Sequence, residues 1–387
     1  MTRKFKQTEI GKIPEDWEIV KLSDVAVVNN LTLNDSFPYE EIEYIDISSV
    51  AQGRISETKL LQRSEAPSRA QRVVRDNDIL LSTVRPNLKH YAFIKKAKSN
   101  IIASTGFAVI TSKNIHPQFL YYYISTDRYT YYLSAIADMH TSAYPACNPD
   151  VIENSLMPYP PLPEQRAIAK ILSDLDEKIE LNRQTNKTLE SIAKAIFKHW
   201  FVDFEFPNEE GKPYKSSGGK MVDSELGDIP KDWDVNKVKN FGAVVCGKTP
   251  PKSVKKYFGG DIPFIKIPDM HNQPLIIKTE DSLSIKGKSY QENKTIPNKS
   301  ICVSCIATVG LVALTSMESQ TNQQINSIIP ADQNSTYFLY CVFKRMRRYL
   351  EDLGSGGSAT LNINTTSFSN IRINKPEKDI LRKFDEV

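Results

Sequence analysis

Apolar positions along this chain follow two different periods, and the change between them divides it. Through most of the sequence they form short runs rich in β-branched and aromatic residues, at 44–47, 78–84 and 107–111, with Pro, Gly and Asn between them. Such runs read as strands joined by loops. Residues 119–136 read as a helix, with Leu120, Ile124, Leu133 and Ile136 among several tyrosines. After Pro163 the pattern becomes heptad, and no Gly or Pro interrupts it as far as Phe204. One series is Ile168, Leu175, Asn182, Leu189, Ile196; the other, four residues on, is Leu172, Ile179, Asn186, Ala193, Trp200. Apolar positions broken only by two adjacent Asn layers make a coiled-coil seam, since such asparagines set register at some cost in stability. An ordinary amphipathic core helix would show the same period over a shorter length. At ~1.5 Å per residue this helix is roughly 60 Å long and serves as a spacer.

The second organising feature is a long-range echo. Glu9-Ile10-Gly11-Lys12-Ile13-Pro14-Glu15-Asp16-Trp17 returns as Glu225-Leu226-Gly227-Asp228-Ile229-Pro230-Lys231-Asp232-Trp233. Residues 44–47 answer 264–267, 78–82 answer 300–304, 119–121 answer 338–340, and 163–165 answer 376–378. A period this long means two copies of a whole domain rather than a solenoid. The expected fold is therefore α+β: two tandem α+β domains of roughly 150 residues joined by a long coiled-coil helix, an internal duplication with pseudo-twofold character. The first domain should span 1–159, the spacer helix 160–206, a polar linker 207–222 and the second domain 223–375. Residues 376–387 begin like a second spacer and stop after a few turns, as expected of a truncated copy.

Composition then narrows the class. The 387 residues are 40% hydrophobic and 25% charged, ordinary for a soluble globular protein. No signal peptide or membrane span stands out, and five scattered cysteines suit a reduced, cytoplasmic setting. The net charge of +4 is uninformative, but its distribution is not. Residues 79–126 contain no acid while carrying Arg85, Lys89, Lys95, Lys96, Lys98 and Lys113. Residues 241–260 likewise carry only Lys248, Lys252, Lys255 and Lys256. A third basic cluster runs through 344–348. Basic patches beside aromatics and amides suit phosphate and base-edge contacts, and their presence in both copies favours nucleic acid over a merely solvated basic face.

Catalytic signals are weak by contrast. Gly242-Ala243-Val244-Val245-Cys246-Gly247-Lys248-Thr249 matches a P-loop in letters, but its centre reads as strand. Pro250 and Pro251 then remove the amides such a loop needs. Cys302 and Cys305 lack a second ligand pair and read as structural. His90, His116, His140, His199 and His271 form no cluster. The chain reads as a binder rather than a catalyst, with no metal or cofactor of its own.

These features together resemble the specificity subunit of type I restriction-modification systems. The residues that carry the resemblance are the Ile-Pro-x-Asp-Trp blocks, the Pro-Leu-Pro-Glu-Gln-Arg closing motif at 161–166 and the heptad helix. Inside the modules, residues 82–87 look like one target-recognition class; 247–250, 257–264, 322–326 and 354–358 look like another. The resemblance implies that each module reads one half of a split double-stranded DNA target. It implies that the helices dock methyltransferase subunits carrying S-adenosylmethionine, and that a separate motor-nuclease subunit uses ATP and Mg. It also implies a cytoplasmic, nucleoid-associated protein with no membrane partner. Half-sites on one face of the duplex lie about a helical turn apart, ~34 Å, which a rigid ruler can match.

Arg suits guanine, and Asn or Gln suits adenine. The expected DNA contacts are Arg85, Asn87, Lys89 and Tyr91 in the first module. In the second they are Lys248, Thr249, Lys252, Lys255, Lys256, Gln323 and Gln324. For each of these a phosphate-only or structural role stands beside base reading. The seam residues Ile168, Leu172, Leu175, Ile179, Leu189, Ile196 and Trp200 are expected at a partner interface, or, with the second helix cut short, in self-association. The rival reading is a coiled-coil scaffold pairing two protein-binding domains, which predicts no salt-dependent DNA affinity.

Overall fold

The computed structural model describes residues 3–140, 145–271, 273–356 and 360–387. It resolves into two compact units, residues 1–185 and 186–387, whose boundary falls within one long helix. Their strands and helices are numbered here along the chain, counting those that build the two sheets and the helices discussed.

In the first unit the strands are β1 (Ala26–Val28), β2 (Glu41–Ile45), β3 (Lys59–Gln62), β4 (Ala70–Val73), β5 (Ile79–Ser82), β6 (Tyr91–Phe93), β7 (Ile101–Ser104) and β8 (Phe107–Ser112). They form two four-stranded sheets, ordered β1-β8-β5-β6 and β4-β7-β2-β3. The second sheet pairs β2 with β7 in parallel; its other pairs are antiparallel. All four side chains of β5 are buried, as a strand lying between two layers requires. Fully burying an aliphatic side chain such as Leu80 contributes about 1.5–3 kcal/mol.

A single helix over 119–136 is not what forms. The segment divides into α1 (Pro117–Ile124) and α2 (Asp127–His140). The break falls at Ser125 and Thr126. Thr126 Oγ1 donates to the Tyr123 carbonyl (2.8 Å) and accepts the Tyr129 N–H (3.3 Å), so it ends one helix and opens the next. Apolar spacing runs through this break because the buried face continues across it.

The duplication is plain in the topology of the second unit. Its strands are β9 (Gly242–Cys246), β10 (Phe258–Ile265), β11 (Leu275–Ile276), β12 (Asp281–Leu283), β13 (Thr295–Ile296), β14 (Ile301–Ser304), β15 (Val312–Thr315), β16 (Ser319–Thr321) and β17 (Ile325–Pro330). The sheets run β9-β17-β14-β15-β11 and β12-β10-β16-β13. Apart from the added β11, each order repeats that of the first unit strand for strand, and the one parallel pair of the smaller sheet recurs as β10 with β16. In both units a strand just after the Trp of the repeated block pairs antiparallel with one near the domain's end: Glu18–Lys21 with Leu156–Tyr159, and Asp234–Lys237 with Arg372–Lys375. The opening and closing motifs recur together because they meet. In the first unit Trp17 Nε1 donates to Glu164 (3.0 Å), and Gln165, fully buried, accepts the His116 N–H at the start of α1 (2.8 Å).

The spacer forms as α3 (Leu162–Phe201), 40 residues long. Its two ends are embedded in apolar cores, and its middle keeps only polar contacts such as Glu177 with Lys95. Ala169 is buried in the first unit's core, with Ile168 packed against it. Phe197 and Phe201 are buried in the second unit's core, with Ile196 and Trp200 packed against it. Residues 174–195 are exposed on every face. The stripe thus stays open only in the middle, because the short α6 (Lys378–Asp385) covers its last turns. Phe384 of α6 lies 4.9 Å from the Phe201 ring and 5.9 Å from Trp200. Two further helices of this unit are α4 (Thr336–Arg345) and α5 (Arg347–Gly354). The polar stretch 207–222 is tied down: Tyr214 stacks on Phe206 (4.6 Å), whose ring also stacks on Trp233 (5.2 Å).

Candidate nucleic-acid interface

In the first unit, Arg85, Asn87 and Lys89 lie in the loop between β5 and β6. Arg85 and Lys89 both adopt left-handed backbone conformations (φ 48° and 56°) on either side of a short turn at Pro86–Leu88. Left-handed backbone at non-glycine residues is uncommon and holds only where surroundings enforce it. Here the Arg85 N–H donates to the Pro145 carbonyl (2.8 Å), and Lys89 accepts through its carbonyl from the Gln52 N–H (2.9 Å). Asn87 is exposed. Tyr91 is half-buried on β6, edge-on to Tyr121 at 6.2 Å, so much of its ring belongs to the core.

Charge in this unit is more neutralised than the acid-free stretch suggests. Lys89 pairs with Asp127 (2.6 Å), whose hydrogen bond and charge raise the pKa of its ammonium. Lys95 pairs with Glu177 (3.0 Å) and Lys98 with Glu43 (2.7 Å). The acids come from segments distant in sequence, so a linear reading of charge misses them.

The second unit gathers its candidates more tightly. Gly247 to Lys256 follows β9, and the turn 322–324 joins β16 to β17. The Thr249 hydroxyl donates to Gln323 Oε1 (2.7 Å), binding the two segments together. Gln323 is exposed; Gln324 is drawn inward, where Asn322 Nδ2 donates to its Oε1 (2.9 Å). Lys248 Nζ sits 5.7 Å from the centre of the Tyr290 ring, and Tyr290 stacks on Tyr257 at 5.0 Å. Lys252, Lys255 and Lys256 are exposed and have no acidic partner among the described residues. This surface combines unneutralised cations, an exposed aromatic stack and an amide, the set expected where a protein grips phosphates and stacks or reads bases.

Beneath it lies a buried amide pair that the sequence did not reveal. Gln320 is fully buried, and its Nε2 contacts the carbonyls of Lys288 (3.1 Å) and Gln291 (3.2 Å) and the Thr295 hydroxyl (2.8 Å). Gln291 Nε2 donates to Gln320 Oε1 (2.8 Å) and to the Lys248 carbonyl (2.6 Å). The loop that follows β9 is therefore anchored to the core through two glutamines. Neither lies in a motif; Tyr290 was missed for the same reason.

The P-loop lookalike is a strand and a tight turn. β9 runs antiparallel to β17, and the Lys248 N–H is taken by the Thr321 carbonyl (2.9 Å). A Cβ on Gly247 would come within 2.1 Å of the Asn322 carbonyl oxygen, which explains the glycine by backbone contact rather than by phosphate. Cys302 and Cys305 are buried, and burial pushes their thiols up to about 12 and about 11. Among the described residues no group of three or more His, Cys, Asp or Glu could hold a metal, and no helix is long and apolar enough to cross a membrane. The His140 side chain and residues 357–359, which include the last two of the 354–358 motif, lie outside the described residues.

Of the seam residues, Leu175, Ile179 and Leu189 are exposed (57%, 48% and 57%), Leu172 is half-buried, and Ile168, Ile196 and Trp200 pack within the units.

Comparison with known proteins adds a family. The model of the type I restriction modification DNA specificity domain matches residues 14–191 and 230–386. The chain is similar to the HindI specificity subunit, a type I restriction enzyme subunit of Haemophilus influenzae, at 36% identity over 96% of this chain and 92% of that one. It is 27% identical to the MjaIX specificity subunit of Methanocaldococcus jannaschii, covering 99% and 88%. Among solved structures, a type I restriction-modification S subunit from M. genitalium matches 100% of this chain and 91% of that chain with a TM-score of 0.60. At 12% identity that likeness concerns the fold alone.

Proposed function

This chain belongs to the type I restriction-modification DNA specificity family, and from that premise we propose that it selects the DNA site for a type I complex while performing no catalysis itself. Each unit reads one half of a bipartite double-stranded target. The first uses the 85–91 loop; the second uses Lys248, Thr249, Lys252, Lys255, Lys256 and Gln323, with Gln324 holding the turn. The observation that carries this reading is the repeated scaffold: two copies of one topology carry unlike basic loops, one between β5 and β6 and the others after β9 and between β16 and β17. One scaffold with two different loop sets suits recognition of two unlike half-sites.

The exposed middle of α3 suits docking of methyltransferase subunits, which would cover Leu175, Ile179 and Leu189. S-adenosylmethionine would then reside on those subunits, and ATP and Mg on a motor-nuclease subunit, with the whole complex acting in the cytoplasm. A stiff helix also suits a fixed half-site spacing better than a flexible linker would.

The test is methylome sequencing of cells that express this chain with its methyltransferase subunit. A split adenine motif with an unspecified gap is expected, and exchanging residues 1–159 for another module should change one half-site only. A purified chain with no salt-dependent DNA affinity would instead favour a protein-binding scaffold.

A further inference from the structure

The first unit has a second cationic feature, away from the 85–91 loop. A cavity of about 340 Å³ is lined by Ser48, Ser49, Gln52, Arg54, Ser56 and Arg183. Arg183 comes from α3 and the rest from the segment around the hairpin formed by Val50–Ala51 and Arg54–Ile55. The hairpin is rigidly placed. Its tip, Gln52 and Gly53, is left-handed (φ 45° and 86°), and the two N–H groups donate to the carbonyls of Lys89 (2.9 Å) and Tyr91 (2.8 Å). A Cβ on Gly53 would lie 2.6 Å from the Tyr121 hydroxyl, so the tip sits directly on the unit's aromatic core. The hairpin carrying Arg54 is thus pinned to the loop that carries the expected base contacts.

The two arginines of this cavity are less neutralised than the lysines nearby. Lys89, Lys95 and Lys98 each face a carboxylate within ion-pair distance. Arg54 has no partner among the described residues. Arg183 approaches only Glu180, at 3.9 Å, beyond hydrogen-bond distance, while Glu180 accepts from Gln184 (3.0 Å). Of the three serines, Ser49 donates to the Asp46 carbonyl and Ser56 to the Ser49 carbonyl. The Ser48 hydroxyl has no partner among the described residues. Two guanidiniums and a free hydroxyl in a shallow cup form the donor set that suits a phosphate group.

We propose that Arg54 and Arg183 clamp a backbone phosphate of the bound DNA, beside the first half-site and on the side of the spacer helix. This rests on the DNA-reading function proposed above and adds a site to it. The clamp carries no sequence information. It fixes the register of the duplex against the 85–91 loop, as phosphate contacts do.

The experiment measures affinity of the full chain for a random-sequence DNA duplex across a salt series. Each phosphate contact adds about 0.9 to the slope of log affinity against log salt. The double variant Arg54→Ala with Arg183→Ala should lower the slope by about 0.9, and each single variant by part of that, with the methylated motif unchanged. Arg54→Lys and Arg183→Lys should restore most of the slope, which a purely structural role would not predict. An unchanged slope in the double variant overturns the clamp. So does inorganic phosphate that raises the Tm of the wild type but not of the double variant while the DNA slope is unchanged, since the cup would then take a free anion. A wild-type chain with no salt-dependent affinity would instead overturn the DNA-reading function itself.

Discussion

Replacing Gln320 with leucine tests whether the loop that follows β9 is held by the core beneath it. Gln320 is fully buried and its amide meets four groups: the Lys288 and Gln291 carbonyls, the Thr295 hydroxyl and the Gln291 side-chain amide. Leucine has nearly the same volume, so the cavity contribution is small and the loss is polar. Each buried group left without a partner costs about 1–3 kcal/mol, and part of that is regained by relaxation and by the apolar side chain. Gln320→Leu should therefore destabilise the second unit by roughly 3–5 kcal/mol. It should also free Gln291, whose amide holds the Lys248 carbonyl at 2.6 Å, and so loosen the loop carrying Lys248 and Thr249. Urea unfolding of the full chain, followed by tryptophan fluorescence, gives the stability term. Methylome sequencing gives the functional one: the second half-site should lose stringency while the first is retained. The control is Gln323→Leu, which removes one exposed bond to Thr249 and should cost under about 1 kcal/mol. If Gln320→Leu costs no more than that control, the buried amide pair is not what anchors the loop.

Three further outcomes follow from the geometry. Phe384→Ala removes a ring that contacts Phe197, Trp200 and Phe201, and should cost about 3–4 kcal/mol in urea unfolding; a cost under 1 kcal/mol would mean that α6 is not part of the core. Lys255→Ala and Lys256→Ala should each reduce the salt slope of DNA affinity by about 1, since both lack acidic partners among the described residues, whereas Lys98→Ala, already paired with Glu43, should change it less. Burial raises the Cys302 thiol to about 12 and those of Cys305 and Cys341 to about 11, from an ordinary value of 9.0. Folded pKa values above the unfolded one mean stability that is intact below pH 9 and lost as pH rises toward 11–12, so unfolding at pH 10.5 should need less urea than at pH 8, and less so in Cys302→Ala.

Much of this protein was legible in its sequence, for reasons that are local. Duplication showed because the anchors fall at equivalent places of a repeated topology: the strands just after Trp17 and Trp233 each pair antiparallel with one near the domain's end. The long central helix showed because a heptad period needs only consecutive residues to be seen, and α3 forms over Leu162–Phe201. The strand cores at 79–82 and 301–304 showed because a buried strand is a run of apolar residues. The tertiary structure decided what depends on residues far apart in the chain. It put Asp127 against Lys89 and Glu177 against Lys95, so a stretch with no acid of its own is partly neutral. It packed Ile168 and Trp200 against the cores but left Leu175 and Leu189 exposed, although all four share one seam, because only near its ends does the helix lay apolar residues on a core. It joined Gln291 to Gln320 and Arg54 to Arg183, pairs that no spacing rule connects. Periodicity is a property of neighbours along the chain, whereas neutralisation, burial and site assembly depend on which distant segments the fold brings together.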